Sequence, residues 1–248
     1  MASARFTDEL RALAGAKWDA VIKHKFTDEL AAGTIDHGVL SRYLIQDHRF
    51  LDSFVVLLSS MVAAAPTLAD RIPGCQFLAL ITGRENTYFE RSFNALGISE
   101  ELQGPGTPDA PPTIAFNQLM REAAKASYPE MLAVLVVAEW TYQSWGERVL
   151  PAAVAEPFMC REWVDLHSGE YFGSVRRRCP LPTLELFRAA QIPQLMCTTL
   201  AQVVEYLRGL LDSAGAALGV EERAKVEAAF LKAVDIEVAF FDNAYDKE

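Results

Sequence analysis

Four positions place a polar group on an otherwise apolar helical stripe, and each is of a type that grips or moves protons. In YLIQDHRFLDSF (43–54), Asp47 lies one turn after Tyr43 and three and four residues before Phe50 and Leu51, so it shares their face. In AVLVVAEWTYQSWG (133–146), Glu139 follows an apolar run, with Tyr142 at i+3 and Gly146 a further turn on. In REWVDLHSGEYF (161–172), His167 falls between Trp163 and Tyr171 on an aromatic stripe. In LKAVDIEVAFFDNAY (231–245), Glu237 shares a face with Val234, Phe240 and Phe241, whereas Asp235 and Asp242 fall on other faces and read as solvated. A carboxylate moved out of water costs several kcal/mol unless it is paired, protonated or bound to a ligand.

The residues leave plain alternatives open. Asp47 is either inward with a partner or at the edge of its face, solvated or held by a backbone N–H. Glu139 is a proton-transfer group or one half of a salt bridge, to Arg148 or to another helix. Tyr142 and His167 are site residues or core residues with satisfied polar tips. Gly146 leaves room for a ligand or for a close helix contact. Together the set describes an interior with two or three carboxylates, a phenol and aromatic plates, Tyr43 and Phe50 among them. That suits a flat, nitrogen-rich heterocycle, whose N–H and amino groups pair with carboxylates while its faces stack on rings. Buried carboxylates of raised pKa are also general acids and bases.

Helical periodicity runs through nearly the whole chain, and strand-like alternation is scarce. One helix is expected over 3–32, stopped by Gly33, and a second from an N-cap at Asp36 to Pro66. A third spans 67–96, interrupted at Pro73-Gly74, and GPGTPDAPP makes an internal loop over about 103–112. Further helices are expected over 113–126, 129–150, 157–172, 181–190, 193–214 and 219–246. Short connections between long amphipathic helices predict an all-α antiparallel bundle, one domain over 1–248.

Composition narrows the function. With 23 Lys and Arg against 33 Asp and Glu, the net charge of −10 repels phosphate backbones and argues against nucleic-acid binding. No apolar stretch reaches the ~20 residues of a membrane span and the N-terminus lacks a signal-peptide core, so a soluble, cytoplasmic protein is expected. Cys75, Cys160, Cys179 and Cys197 form no CxxC pair and read as reduced, semi-buried thiols. The histidines at 24, 37, 48 and 167 show no HExxH spacing, so neither a protein-bound metal nor a cofactor is expected.

HxFxxxLxxG (24–33), YLIQDHRFLDSF (43–54), EWTYQSWG (139–146), WVDLHSGEYF (163–172) and IEVAFFDNAY (236–245) follow one another as in the TenA, or thiaminase II, family, which the chain resembles over nearly its whole length. The resemblance implies the haem-oxygenase-like helical fold without haem, and hydrolysis of aminopyrimidines in salvage of the thiamin pyrimidine. It implies that Asp47 grips the aminopyrimidine edge, that Tyr142 is the active-site tyrosine and that Glu237 serves as acid or base. The family's cysteine nucleophile stands four residues before that tyrosine, where this chain has Ala138. The chain therefore resembles the cysteine-lacking, TenA_E-type branch, with Glu139 the candidate substitute, and cleavage of thiamin itself is not expected. His167 and Phe116, where the cysteine branch has tyrosines, imply a differently lined pocket.

The implied reactions are deformylation of N-formyl-aminomethylpyrimidine and deamination of aminomethylpyrimidine to hydroxymethylpyrimidine. Glu139 and Glu237 would transfer protons, Asp47 would anchor substrate, and Tyr142 or His167 would donate to the developing oxyanion. The rivals are a non-catalytic pyrimidine-binding protein and a haem or di-iron member of the fold group, for which His24 is a conceivable ligand though the Glu plus ExxH sets are missing. Family members assemble as homo-oligomers, so a dimer or tetramer is expected.

Overall fold

The computed structural model describes residues 4–104, 106–168 and 199–246, and every regular element among them is helical. The helix expected over 3–32 is instead three short ones, α1 (Phe6–Ala14), α2 (Ala16–Ile22) and α3 (Lys25–Ala31). Gly15 breaks the first pair at φ +52°, ψ −123°, a conformation that only glycine adopts without strain. His24 breaks the second: its backbone is extended and its Nδ1 accepts the Phe26 N–H, capping α3. The apolar period survives both breaks because Leu10, Trp18, Val21, Phe26 and Leu30 all reach the same core.

Helix α4 (His37–Ala64) starts where expected, with Asp36 accepting from the Gly38 and Val39 N–H groups. Helix α5 (Leu68–Leu80) starts from a capping box between Thr67 and Asp70 and runs straight through Pro73-Gly74. The packing explains why: a Cβ on Gly74 would lie 2.5 Å from Val62 Cγ2, and the Tyr206 hydroxyl donates to the Asp70 carbonyl at 2.5 Å. The interruption comes later, as a single π-helical turn at Ile81–Glu85, before α6 (Asn86–Leu96).

After the short α7 (Glu100–Gln103), helix α8 (Pro111–Ala123) takes Pro111 and Pro112 into its first turn, where a missing N–H costs nothing. The loop is thus 104–110 rather than 103–112. Gln46 pins it to α4, accepting from the Ala110 N–H at 2.9 Å and Thr113 Oγ1 at 2.7 Å and donating to the Pro108 carbonyl at 3.0 Å. Then come α9 (Tyr128–Val149), a 3-10 turn at Leu150–Ala152, α10 (Phe158–His167), α11 (Leu200–Gly215) and α12 (Val220–Asn243). The helix expected over 181–190, the start of that expected over 193–214, Tyr171, Cys179 and Cys197 lie outside the described residues.

Every residue of α9 from Met131 to Ala138 is buried, the mark of a helix apolar on all sides. It forms the axis of the bundle, with α11 and α12 packed most extensively on it and α2, α4 and α10 around the rest. Gly146 serves this packing. A Cβ there would stand 2.4 Å from the His167 carbonyl oxygen and 3.0 Å from the Ser168 nitrogen, so the glycine makes a close helix contact rather than ligand space. Because the obstacle is backbone, Gly146→Ala is expected to destabilise by about 1–3 kcal/mol, despite alanine's better helix propensity. Urea unfolding checks it, and a stability equal to wild type would show that α10 slides freely.

Candidate active site

Facing helices bring the predicted polar groups together. Asp47 and Phe50 from α4, Glu139 and Tyr142 from α9, and Trp163 and His167 from α10 line one recess. Its enclosed volume is only about 50 Å³, room for a few atoms, so a heterocycle entering it must displace lining side chains or extend into the open mouth. Tyr43 lies at its inner side, its hydroxyl 2.8 Å from that of Tyr142. Glu237, from α12, is not on the lining: it is only 2% exposed, and its charge is felt by Tyr43 and Tyr142. Phe116 is not on the lining: it packs edge-on behind Phe50, ring centroids 5.1 Å apart.

The alternatives for the carboxylates are resolved by burial and pairing. Asp47 is 6% exposed, so it is not solvated. Arg148 does not reach Glu139; it holds the Ile22 carbonyl, Thr27 Oγ1 and Asp28. No ion pair among the described residues involves Asp47, Glu139 or Glu237. Burial pushes all three carboxyls well above the usual range. Neighbouring charge adds to it, from Glu85 at Asp47, from Glu85 and Asp47 at Glu139, and from Asp47 and Glu139 at Glu237. A hydrogen bond from Tyr43 offsets part of the shift at Asp47. Such a group of carboxyls either shares protons or awaits a ligand rich in N–H donors or positive charge.

The donors follow from the same burial. Tyr43 and Tyr142 are pushed well above the usual phenol range, first by desolvation, and stay protonated at neutral pH. His167 behaves otherwise. Burial lowers it to about 4, and its Nδ1 lies 2.8 Å from the Trp163 carbonyl, which can only accept. The proton is therefore on Nδ1, and Nε2 carries a lone pair. Of the two oxyanion donors considered from sequence, His167 presents an acceptor, and Tyr142 shares a hydrogen bond with Tyr43 in which either hydroxyl can donate.

Both His24 nitrogens hold hydrogen bonds, Nδ1 accepting from the Phe26 N–H and Nε2 lying 3.1 Å from Asp242. Among the described residues no three His, Cys, Asp or Glu side chains are arranged to hold a metal ion, and no helix is long and apolar enough to cross a membrane.

Residues 12–181, more than half the chain, match the TENA/THI-4/PQQC family. The chain belongs to this family. An aminopyrimidine aminohydrolase of Bacillus subtilis (strain 168) is 24% identical over 179 residues, 68% of this chain and 71% of that protein. Another, from Halalkalibacterium halodurans, is 22% identical over 234 residues, 93% and 91% of the two chains. The X-ray structure of a TenA homologue from Pyrococcus furiosus matches with a TM-score of 0.76 at 20% identity, covering 97% of this chain and all of that one. That likeness gives the fold, the haem-oxygenase-like helical bundle expected from the sequence.

One feature of this TenA-family chain agrees with the sequence reading and one was missed by it. No described thiol lies on the recess, whose wall at that point is Ala138; Cys75 is exposed, and Cys160 is buried elsewhere and pushed up to about 11 by desolvation. Conversely, Glu85 of the π-helical turn lines the recess and was not among the expected residues. Its signal was present: Glu85 stands four residues after Ile81 and three and four before Tyr88 and Phe89, all buried. The same rule picked out Asp47, but an interruption placed at Pro73-Gly74 left residues 81–85 without an assigned face.

Proposed function

We propose that this chain is a hydrolase of thiamin pyrimidine salvage. It deformylates N-formyl-aminomethylpyrimidine, deaminates 4-amino-5-aminomethyl-2-methylpyrimidine to the hydroxymethylpyrimidine, or does both, by carboxylate acid and base catalysis without a cysteine nucleophile. The observation that carries this reading is the convergence of Asp47 and Glu139, without an ion-pair partner among the described residues, on one aromatic-walled recess, with the buried Glu237 near enough for their charges to act on it. The curated relatives, named aminopyrimidine aminohydrolases, support the substrate class.

In this reading Asp47 accepts from the ring amino group while Phe50 and Trp163 flank the heterocycle. One of Glu139 and Glu237 takes a proton from water, whose oxygen bonds to the substrate carbon. As the C–N bond breaks, the other gives its proton to the departing nitrogen. For the formyl substrate the Tyr142 hydroxyl donates to the oxygen that gains charge, and formate leaves. For the aminomethyl substrate ammonia leaves. The raised pKa values let one carboxyl hold a proton near neutral pH while another is ionised.

A panel of formyl-aminomethyl, aminomethyl and hydroxymethyl pyrimidines and thiamin, assayed for formate and ammonia, tests this. The expected result is release of one or both from the first two compounds and no cleavage of thiamin. Tight pyrimidine binding, seen as a thermal shift, with no turnover would establish a binding protein instead.

A further inference from the structure

The geometry points to Glu85 as a third proton-carrying carboxylate of the site, one that takes the proton a base of the recess removes from water and passes it to solvent. This rests on the hydrolase reading above and adds to it a residue and a step.

Three observations carry it. Glu85 shares the recess wall with Asp47 and Glu139, and its charge acts on both. It makes no hydrogen bond or ion pair with another described residue. Unlike Glu237, which is 2% exposed, it retains partial solvent contact, giving its proton a way out. It also closes the π-helical turn Ile81–Glu85, where α5 and α6 meet. One extra residue per turn rotates α6 by about 100° relative to α5, and such turns recur at functional sites. Glu85 follows Phe77 and Ile81 and precedes Tyr88 and Phe89 at three- and four-residue spacing, all four of them buried.

The titratable groups around the recess are Asp47 on α4, Glu139 and Tyr142 on α9, and His167 on α10, with His48 of α4 bonded to Asn86 next in sequence. No lysine or arginine is among these described neighbours. Burial raises Glu85 to about 7, so it both accepts and releases a proton near neutral pH. The balance is simple. The base receives a proton from water, Glu85 in its ionised form receives it from the base, and bulk water receives it from Glu85, while the acid is reprotonated from solvent.

The test is the pH dependence of kcat and KM for wild type, Glu85→Gln and Glu85→Asp on whichever panel compound the wild type turns over. Acceptance needs the ionised form, so wild-type kcat rises with pH through about 7. Glu85→Gln is expected to lose that limb and about 10- to 100-fold in kcat with KM little changed, and Glu85→Asp to regain part of both. A melting temperature at pH 8 no lower than wild type certifies that the variant folds. Should Glu85→Gln keep the wild-type kcat and limb, the proposal is overturned and the hydrolase reading stands. A wild type inactive on the whole panel overturns both.

Discussion

Glu139→Gln is expected to lower kcat by about 10²–10⁴-fold, the usual contribution of a positioned acid or base, with KM changed far less. The substitution keeps shape and removes only the ability to carry a proton. Glu139 has no ion-pair partner to orphan, since Arg148 is engaged with Asp28, Thr27 and the Ile22 carbonyl. Its raised pKa makes it a stronger base than an ordinary carboxylate, and its cause is burial followed by the charges of Glu85 and Asp47. Asp47→Asn serves as the contrast. Its main effect is expected on KM, because an amide can still meet the ring amino group but only with weaker, uncharged acceptance. Steady-state kinetics on the aminomethyl and formyl substrates measures both. If Glu139→Gln alters affinity alone, the residue does no chemistry and the binding-protein reading gains.

The second large effect is on stability. Glu237→Gln is expected to raise the melting temperature at pH 8 and leave it unchanged at pH 4. Folding holds the Glu237 carboxyl above its ordinary value of 4.5, through burial and then the charges of Asp47 and Glu139. Below 4.5 both folded and unfolded chains are protonated, so the position contributes no difference. As pH rises past it, the unfolded chain releases the proton while the folded chain keeps it, so stability falls until the folded group also ionises. Glutamine escapes that loss. Each ~1 kcal/mol so recovered moves the transition of a domain this size by roughly 2–4 °C. His167 works in the other direction, its folded value near 4 withdrawing stability as pH falls from 6.5. Both chains carry it, and the difference between their melting curves isolates Glu237. A lower melting temperature for the variant at pH 8 would mean that the ionised carboxylate anchors the fold.

Much of the site could be read from spacing. Asp47, Glu139, Tyr142, His167 and Glu237 each interrupt an apolar stripe at three- and four-residue intervals, and a helix turns such intervals into one face. Where a helix is continuous, as in α4, α9 and α12, facing inward follows directly: Asp47, Tyr142 and Glu237 are buried, and Glu139 lies half-buried on the recess wall. The reading failed where the register is not continuous. Glu85 had the spacing but lay in a segment given no face, and the 3–32 segment needed the breaks at Gly15 and His24, which an apolar period crosses without a trace.

What the sequence alone determined is the all-α class, the order of the long helices and the inward polar residues, because these depend on interactions within a few turns. Only the tertiary structure decided the pairings: that Tyr43 meets Tyr142 across 99 positions, that Arg148 leaves Glu139 alone and that Gly146 admits the end of α10. The physical reason is that a carboxylate's charge state depends on what surrounds it in space, and carboxyls from three separate helices act on one another only when packing brings them together and removes water around them.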